Sequence, residues 1–235
     1  MRIFVAVALA GAPLAACGDR GADAPSAPAP ASGERGAAGS TSAAPPVAAG
    51  EVERRDAADW RKVVSADDAA KLGRLNESWR LGRAEAEDKG FAQQVEALGG
   101  LVDPNAGLSG RLQPAPGNYR CRAIKLGTNG PGGPGYLESP FFGCTIELTP
   151  GGDLVLTRMT GPQPTRGLLY PDTDRRLIYI GAQASSPEAT GVPRYGEQRL
   201  LDRVGVFERI GSGRWRLVLP WPRAESKLEI LELVR

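Results

Sequence analysis

The chain has 235 residues, with 29 Lys and Arg against 27 Asp and Glu and no histidine. A balance this even gives no basic surface for nucleic acid. The absent imidazole removes Ser-His-Asp and Cys-His triads, histidine zinc sites and histidine pH switches.

Arg2 is the only charge before an apolar run from Ile3 to Ala16. This is a signal-peptide pattern, residues 1–16, too short and too interrupted by Gly11 and Pro13 to span a membrane. Leu14, Ala15, Ala16 and Cys17 resemble the bacterial lipoprotein signal, in which the Cys is lipidated and becomes the mature N-terminus. The plainer alternative is a secretory leader with Cys17 incidental. Gly18 directly after the Cys, with Asp19 one later, resembles outer-membrane sorting, so the expected location is the outer membrane, facing the periplasm. The expected membrane contact is through acyl chains on Cys17, each buried CH₂ contributing about 0.8 kcal/mol.

Residues 18–50 are almost wholly Ala, Pro, Gly and Ser. Such a segment cannot bury enough apolar surface to offset its ordering entropy. With lipidated Cys17 it reads as a disordered tether over 17–50, spanning roughly 30 Å.

Residues 51–235 suffice for one folded unit. A helical region is expected over 51–117, with 10 basic and 12 acidic side chains, net −2. Ser65 reads as an N-cap, with Asp68 completing an acidic variant of the capping box. Ala69, Leu72, Leu75 and Trp79 then recur on one helical stripe. Gly73 and Gly82 argue against a straight helix. Gly90 fits a C′ stop, and Phe91, Val95 and Leu98 make a second, shorter helix before Gly99 and Gly100.

Over 118–235 the period changes to two, with 16 basic and 12 acidic side chains, net +4. Strands are expected near 119–126, 141–149, 153–160, 165–170, 175–182, 202–210, 213–219 and 227–234. Pro150-Gly151-Gly152, Pro171-Asp172-Thr173-Asp174 and Gly211-Ser212-Gly213 supply turns. The fold class is therefore α+β, an N-terminal helical pair packed on an antiparallel β-barrel or sandwich of about eight short strands. With Cys17 assigned to lipid, Cys121 and Cys144 remain as a pair for an oxidising compartment. A structural disulfide between the first two strands is expected, facing inward beside Phe142 and Ile146. Long loops are expected at 127–139 and 185–201.

No catalytic, cofactor-binding or metal-ligating residue emerges. The glycine-rich loop lacks the Lys-Ser/Thr ending of a P-loop, and Asp172 and Asp174 read as turn formers before calcium ligands. Nothing places the pairs Glu225/Glu229 or Glu229/Glu232 across a cleft. Lys125 and Lys227 have no Ser-Lys signature around them. Trp215, Trp221 and Phe207 read as core or cavity lining. Arg214 and Arg216 project to the opposite side from Trp215 and could grip an anion. Trp215, Arg214, Arg216 and Trp221 are thus the candidate ligand or partner surface.

Tyr119-Arg120-Cys121-Arg122, Ile124-Lys125-Leu126-Gly127, Gly167-Leu168-Leu169-Tyr170-Pro171 and Arg214-Trp215-Arg216-Leu217-Val218-Leu219-Pro220 carry a resemblance. So do Asp59-Trp60-Arg61, Glu225-Ser226 and Leu231-Glu232-Leu233. Over residues 56–235 the chain resembles the bacterial domain of unknown function 4893 family. The resemblance implies an exported protein and no assigned activity. The expected function is a non-enzymatic periplasmic binding or interaction module without cofactor or nucleic acid, its partner an unidentified envelope protein. The alternatives are a lipocalin-like carrier of a small apolar ligand, hollow and lined by Trp215, Leu217, Phe142 and Ile146, or a protease-inhibitor-like barrel.

Overall fold

A computed structural model describes residues 59–235 apart from 131, 159, 161–162 and 223–225. The leader, Cys17, the tether and Glu225 lie outside the described residues. A 3₁₀ turn, Trp60–Lys62, leads into α1 (Ala66–Gly73) and α2 (Leu75–Ala86). A π-helical turn, Glu87–Phe91, joins α2 to α3 (Ala92–Ala97), and a 3₁₀ turn, Gly99–Leu101, ends the helical part. None of the described helices is long and apolar enough to cross a membrane.

The expected single helix from Ser65 breaks at Arg74, directly after Gly73, where φ/ψ leave the helical region. It passes Gly82 intact, because there it lies on the barrel. A Cβ at Gly82 would come within 3.1 Å of the Leu126 carbonyl and 3.2 Å of the Leu228 Cβ. Gly90 takes φ +92°, the left-handed value expected of a stop residue, and kinks the chain between α2 and α3. At the N-cap, Ser65 Oγ accepts from the Asp68 amide at 3.3 Å. The return bond of a capping box is bridged. Tyr195 Oη accepts from the Ser65 amide at 2.9 Å and donates to Asp68 Oδ2 at 2.7 Å. Aspartate is one methylene shorter than the glutamate of a true capping box, and the phenol fills the gap.

The strands are β1 (Gly117–Leu126), β2 (Tyr136–Glu138), β3 (Phe142–Leu148), β4 (Leu154–Arg158), β5 (Thr165–Pro171), β6 (Leu177–Gln183), β7 (Asp202–Gly211), β8 (Arg214–Pro220) and β9 (Leu228–Val234). All pair antiparallel. β1 and β3–β9 close an eight-stranded barrel through the β1–β9 ladder, Arg120↔Val234 to Leu126↔Leu228. β2 is a short flap on the outer half of β1, inside what reads in sequence as a loop. Cys121 sits opposite Phe142 and Cys144 opposite Tyr119, and the two cysteines are joined diagonally across β1 and β3 with Cα atoms 6.0 Å apart.

The barrel is filled. Tyr119, Cys121, Ile146, Leu156, Phe207, Trp215, Leu217 and Leu231 belong to one buried interior cluster, with Phe142 packed at its edge. Tyr119 and Trp215 meet edge to face, centroids 5.8 Å apart. The hollow interior required of a carrier is therefore not the arrangement of Trp215, Leu217, Phe142 and Ile146. Open apolar space lies outside instead, in a groove of about 530 Å³ lined by Val155, Leu168, Tyr170, Ile180 and Tyr195 among others.

The outer wall also carries apolar contacts. Trp79, Ala86, Val95 and Leu101 pack on Ile124, Val218 and Ile230 of β1, β8 and β9. Val64 and Leu72 pack on Ile178, Ile180, Val204 and Val206 of β6 and β7. The strap between the helices and β1 crosses one open end, where Leu112 joins the interior cluster. Trp215 Nε1 donates to the Leu112 carbonyl at 2.8 Å and Tyr119 Oη to the Ala115 carbonyl at 2.6 Å.

Candidate functional site

The two ends of the barrel differ. The strapped end has the short connections 149–153, 172–176 and 212–213. The other end gathers the longer ones, 127–135, 159–164, 184–201 and 221–227. Towards this loop-rich end the inward-facing rows turn from apolar to charged. β1 runs Tyr119, Cys121, Ala123, then Lys125; β4 runs Leu154, Leu156, then Arg158; β9, read backwards, runs Leu233, Leu231, then Glu229. β7 adds Arg203, β5 Thr165 and β6 Tyr179. Strand alternation alone sends these side chains inside.

Lys125 and Glu229 are directly paired across β1 and β9, and Lys125 Nζ donates to Gln163 Oε1 at 3.0 Å. The Arg158 guanidinium, 2 % exposed, lies 3.8 Å from Glu229 Oε1 through Nη1 and donates through Nη2 to the Gln163 carbonyl. Arg203 Nη1 donates to the Asp202 carbonyl at 2.9 Å. Thr165 Oγ1 gives its one proton to the Ala182 carbonyl at 2.7 Å, so the 2.9 Å contact with Tyr179 has the phenol as donor. Burial pushes the Tyr179 hydroxyl up to about 12 and keeps it protonated. Burial, with Arg158 and Arg203 nearby, holds Lys125 below the usual lysine range against the pull of Glu229. The Tyr179 ring lies across glycines. A Cβ at Gly181 would stand 2.3 Å from the Arg166 carbonyl and 2.6 Å from Tyr179 Oη, and one at Gly167 would stand 2.6 Å from Tyr179 Cε2.

Lys125, Arg158, Arg203 and Glu229 thus form a charged stretch of the inner wall, in which Arg158, Arg203 and Glu229 are buried.

The residues singled out in the sequence are not brought together. Trp215 faces the core. Arg214, on the outer face, donates to Glu232, which Arg122 also holds. Arg216 is outside but wholly buried under the helices. Trp221, at the loop-rich end, is the one non-glycine described residue with a left-handed backbone, φ +49°. It donates to the Arg74 carbonyl at 3.3 Å beneath the Arg74 guanidinium.

Other candidates are held in structural roles. Asp172 accepts from Trp60 Nε1 at 2.8 Å, Arg61 at 3.2 Å and Arg176 at 2.7 Å. Glu229 and Glu232 point to opposite faces of β9. Lys227 donates to Glu85 and to the Thr128 carbonyl. Thr128 Oγ1 donates to Glu85 at 2.7 Å, tying the glycine-rich loop to α2. No group of three or more potential metal ligands occurs among the described residues.

A family model described as Domain of unknown function (DUF4893) matches residues 60–233. The chain belongs to this family. The match spans the helices, the strap and every barrel strand, so the inward charged rows lie within the DUF4893 unit. Searches of curated proteins and of solved structures find no match to it.

Proposed function

We propose that this DUF4893 chain is an outer-membrane lipoprotein facing the periplasm, whose barrel is a binding module and not an enzyme. The observation that carries the binding reading is the polarity of the barrel. One end is strapped shut, while the other gathers the long connections above inward-facing Lys125, Arg158 and Arg203. The barrel's rigid wall would hold these loops in place for a partner, the usual division of labour between scaffold and loops. The lipobox at Cys17 supports the location, as does a cystine that suits an oxidising compartment. A tether over 17–50 supports a search for partners in the envelope, because reach sets the local concentration of a tethered site.

Mass spectrometry of the purified chain tests the anchor: the N-terminus should be Cys17 with acyl chains, and Cys17→Ser should release the protein from membranes. A bare Cys17 or an intact leader in a cytosolic fraction overturns it. Photocrosslinkers at Thr128 and Gln183, at the loop-rich end, should capture an envelope partner that one at Ser212, at the strapped end, does not. Equal capture from both ends removes the binding site from the loops.

A further inference from the structure

Among the described residues the helices pack on the outer wall over β1 and β6–β9. Beside them, on the outer face of β4, β5 and β6, lies the groove of about 530 Å³, a volume typical of small-molecule sites. Its floor is a single cross-strand row: Val155 of β4 pairs with Leu168 of β5, and Leu168 with Ile180 of β6. Val63 and Tyr195 add to the apolar lining. Along β5 the outward side chains are Arg166, Leu168 and Tyr170, a run of about 13 Å at about 3.3 Å per residue.

The two ends of this run differ in charge. Arg166 stands at the loop-rich end, and Arg194 lines the groove from the 184–201 connection. Both are exposed, and neither guanidinium makes an ion pair or hydrogen bond among the described residues. Two acids close to Arg194 in sequence are held by backbone: Glu197 accepts from the Arg194 amide at 2.9 Å and Asp202 from the Gly196 amide at 2.9 Å. Other acids border the remaining edges. Glu147 stands across from Val155 on β3, and Asp153, at the strapped end, accepts from Thr149 Oγ1 at 3.4 Å. A negative head is therefore drawn to the arginines and kept from the far end. Every strand beneath the groove is paired on both edges, so an extended peptide laid there would leave its backbone groups unpaired on an apolar floor. An acyl chain has no such groups, and arginine is suited to grip a carboxylate.

We propose that this groove binds one medium-length acyl chain ending in a carboxylate, its head held by Arg166 and Arg194 and its tail laid over Leu168 towards Tyr170. The site goes beyond the binding reading above. It is on the outer wall and not at the loop-rich mouth, and it needs neither the anchor nor a protein partner.

Titration calorimetry of the full chain with sodium dodecanoate, below its micellar range, tests it. Binding should saturate at one molecule per chain, and decanoate, two methylenes shorter, should bind about tenfold more weakly. Dodecyltrimethylammonium, with the same tail and the opposite charge, should bind at least about tenfold more weakly than dodecanoate, and so should dodecanoate to the Arg166→Glu, Arg194→Glu variant. Both arginines are exposed, so that variant should keep the circular dichroism of the unaltered chain; Arg80→Glu, an equal change of sign on exposed α2, should leave the affinity within about twofold. Crystals soaked in ω-bromododecanoate should show an anomalous peak beside Tyr170. Absence of saturable binding overturns the proposal, even with a bromine peak, which then marks binding at crystal concentration only. Equal affinity for the cationic amphiphile, an unchanged affinity in the double variant or a bromine outside the groove overturns it as well. A glutamate-rich peptide that displaces dodecanoate at lower concentration would give the groove to a protein and also overturn it.

Discussion

Arg216 Nη1 donates to the Leu101 carbonyl at 3.0 Å, binding the outer face of a barrel strand to the last turn of the helical region. The same nitrogen reaches the Gly100 carbonyl at 3.2 Å and the Asp103 carbonyl at 2.6 Å, while Nε donates to Glu208 at 2.8 Å. The guanidinium also lies 5.1 Å from the Trp79 ring. Helix ends leave carbonyls without partners and carry partial negative charge, so a cation there both caps and neutralises. The helices are thereby docked by a charged clamp as well as by apolar packing. Arg216→Met should lower unfolding stability by about 3–5 kcal/mol, because it strands several buried acceptors and Glu208 together. Arg216→Lys should recover little, since one ammonium cannot reach the same fork of acceptors. Urea unfolding measures both, and a loss below about 1 kcal/mol for Met would remove the clamp.

The bridge from Tyr195 to Asp68 couples the 184–201 connection to the start of α1. Burial pushes the Asp68 carboxyl up, but hydrogen bonds from Lys71 and Tyr195 more than reverse this, and it lies below the ordinary aspartate value. A carboxyl depressed in the folded state binds fewer protons there than when unfolded. Its contribution is therefore present above the unfolded value of about 3.9 and lost as pH falls through the lower folded value. Asp172 and Glu85 have the same sign: burial opposes them, and Arg176 with Trp60, or Lys227 with Lys89, holds each low. Stability should thus decline steeply below about pH 4. Asp68→Asn should flatten part of that decline. Tyr195→Phe should cost about 1–2 kcal/mol at neutral pH by leaving the Ser65 amide and Asp68 short of a partner. Circular dichroism melts between pH 2 and 7 give both, and an unchanged acid limb in the Asn variant would contradict the assignment.

The cystine joins strands that already pair, so its effect is on the unfolded chain. Cys121 and Cys144 are 23 residues apart in sequence, and closing a loop of that length removes unfolded-state entropy equivalent to about 3 kcal/mol. The Cys121→Ala, Cys144→Ala double variant should lose that amount, less any gain from relaxed packing, while keeping the barrel. Both sulfurs are buried in the interior cluster, so a reductant should act at the rate of unfolding. Unfolding in denaturant with and without reductant separates the two effects. Reduction faster than unfolding would place the cystine nearer solvent.

The strand count and order were readable because turn residues punctuate a period-two pattern, as at Gly211, Ser212 and Gly213. β2 was not, since Tyr136, Leu137 and Glu138 are too few to show a period behind a run of glycine and proline. Which faces are buried was only half readable. In β6, Leu177, Ile178, Tyr179 and Ile180 are all buried, because the helices cover the outer wall as the core fills the inner one. A continuous apolar strand signals two covered faces but not what covers them. Arg214 and Arg216 have the same sequence context, yet one pairs with Glu232 near the surface and the other lies under Trp79. Only the helix path distinguishes them. The inward charges carried a signal that composition conceals: Lys125 continues the row of Tyr119, Cys121 and Ala123, and Arg158 that of Leu154 and Leu156. A charge extending an inward apolar row at the same barrel end from several strands marks a built polar interior.

That interior should show itself in the alkaline limb of stability. Burial, with Arg158 and Arg203 nearby, lowers the Lys125 value, and Glu229 works to raise it. A lysine depressed in the folded state binds fewer protons there than in the unfolded chain. Stability therefore rises with pH between the folded value and the unfolded one of about 10.4. Glu229→Gln removes an influence that favours the ammonium, so it should lower the Lys125 value further and widen that rising window towards neutrality. It should also cost about 3–5 kcal/mol at pH 7, since the buried Arg158 guanidinium loses the carboxylate beside it. Carbon-13 shifts of the Lys125 Cε follow the titration directly, and Lys125→Met in the same background should remove the pH dependence while restoring part of the stability. A Lys125 titration unmoved by Glu229→Gln would mean that the pair seen across β1 and β9 does not interact in solution.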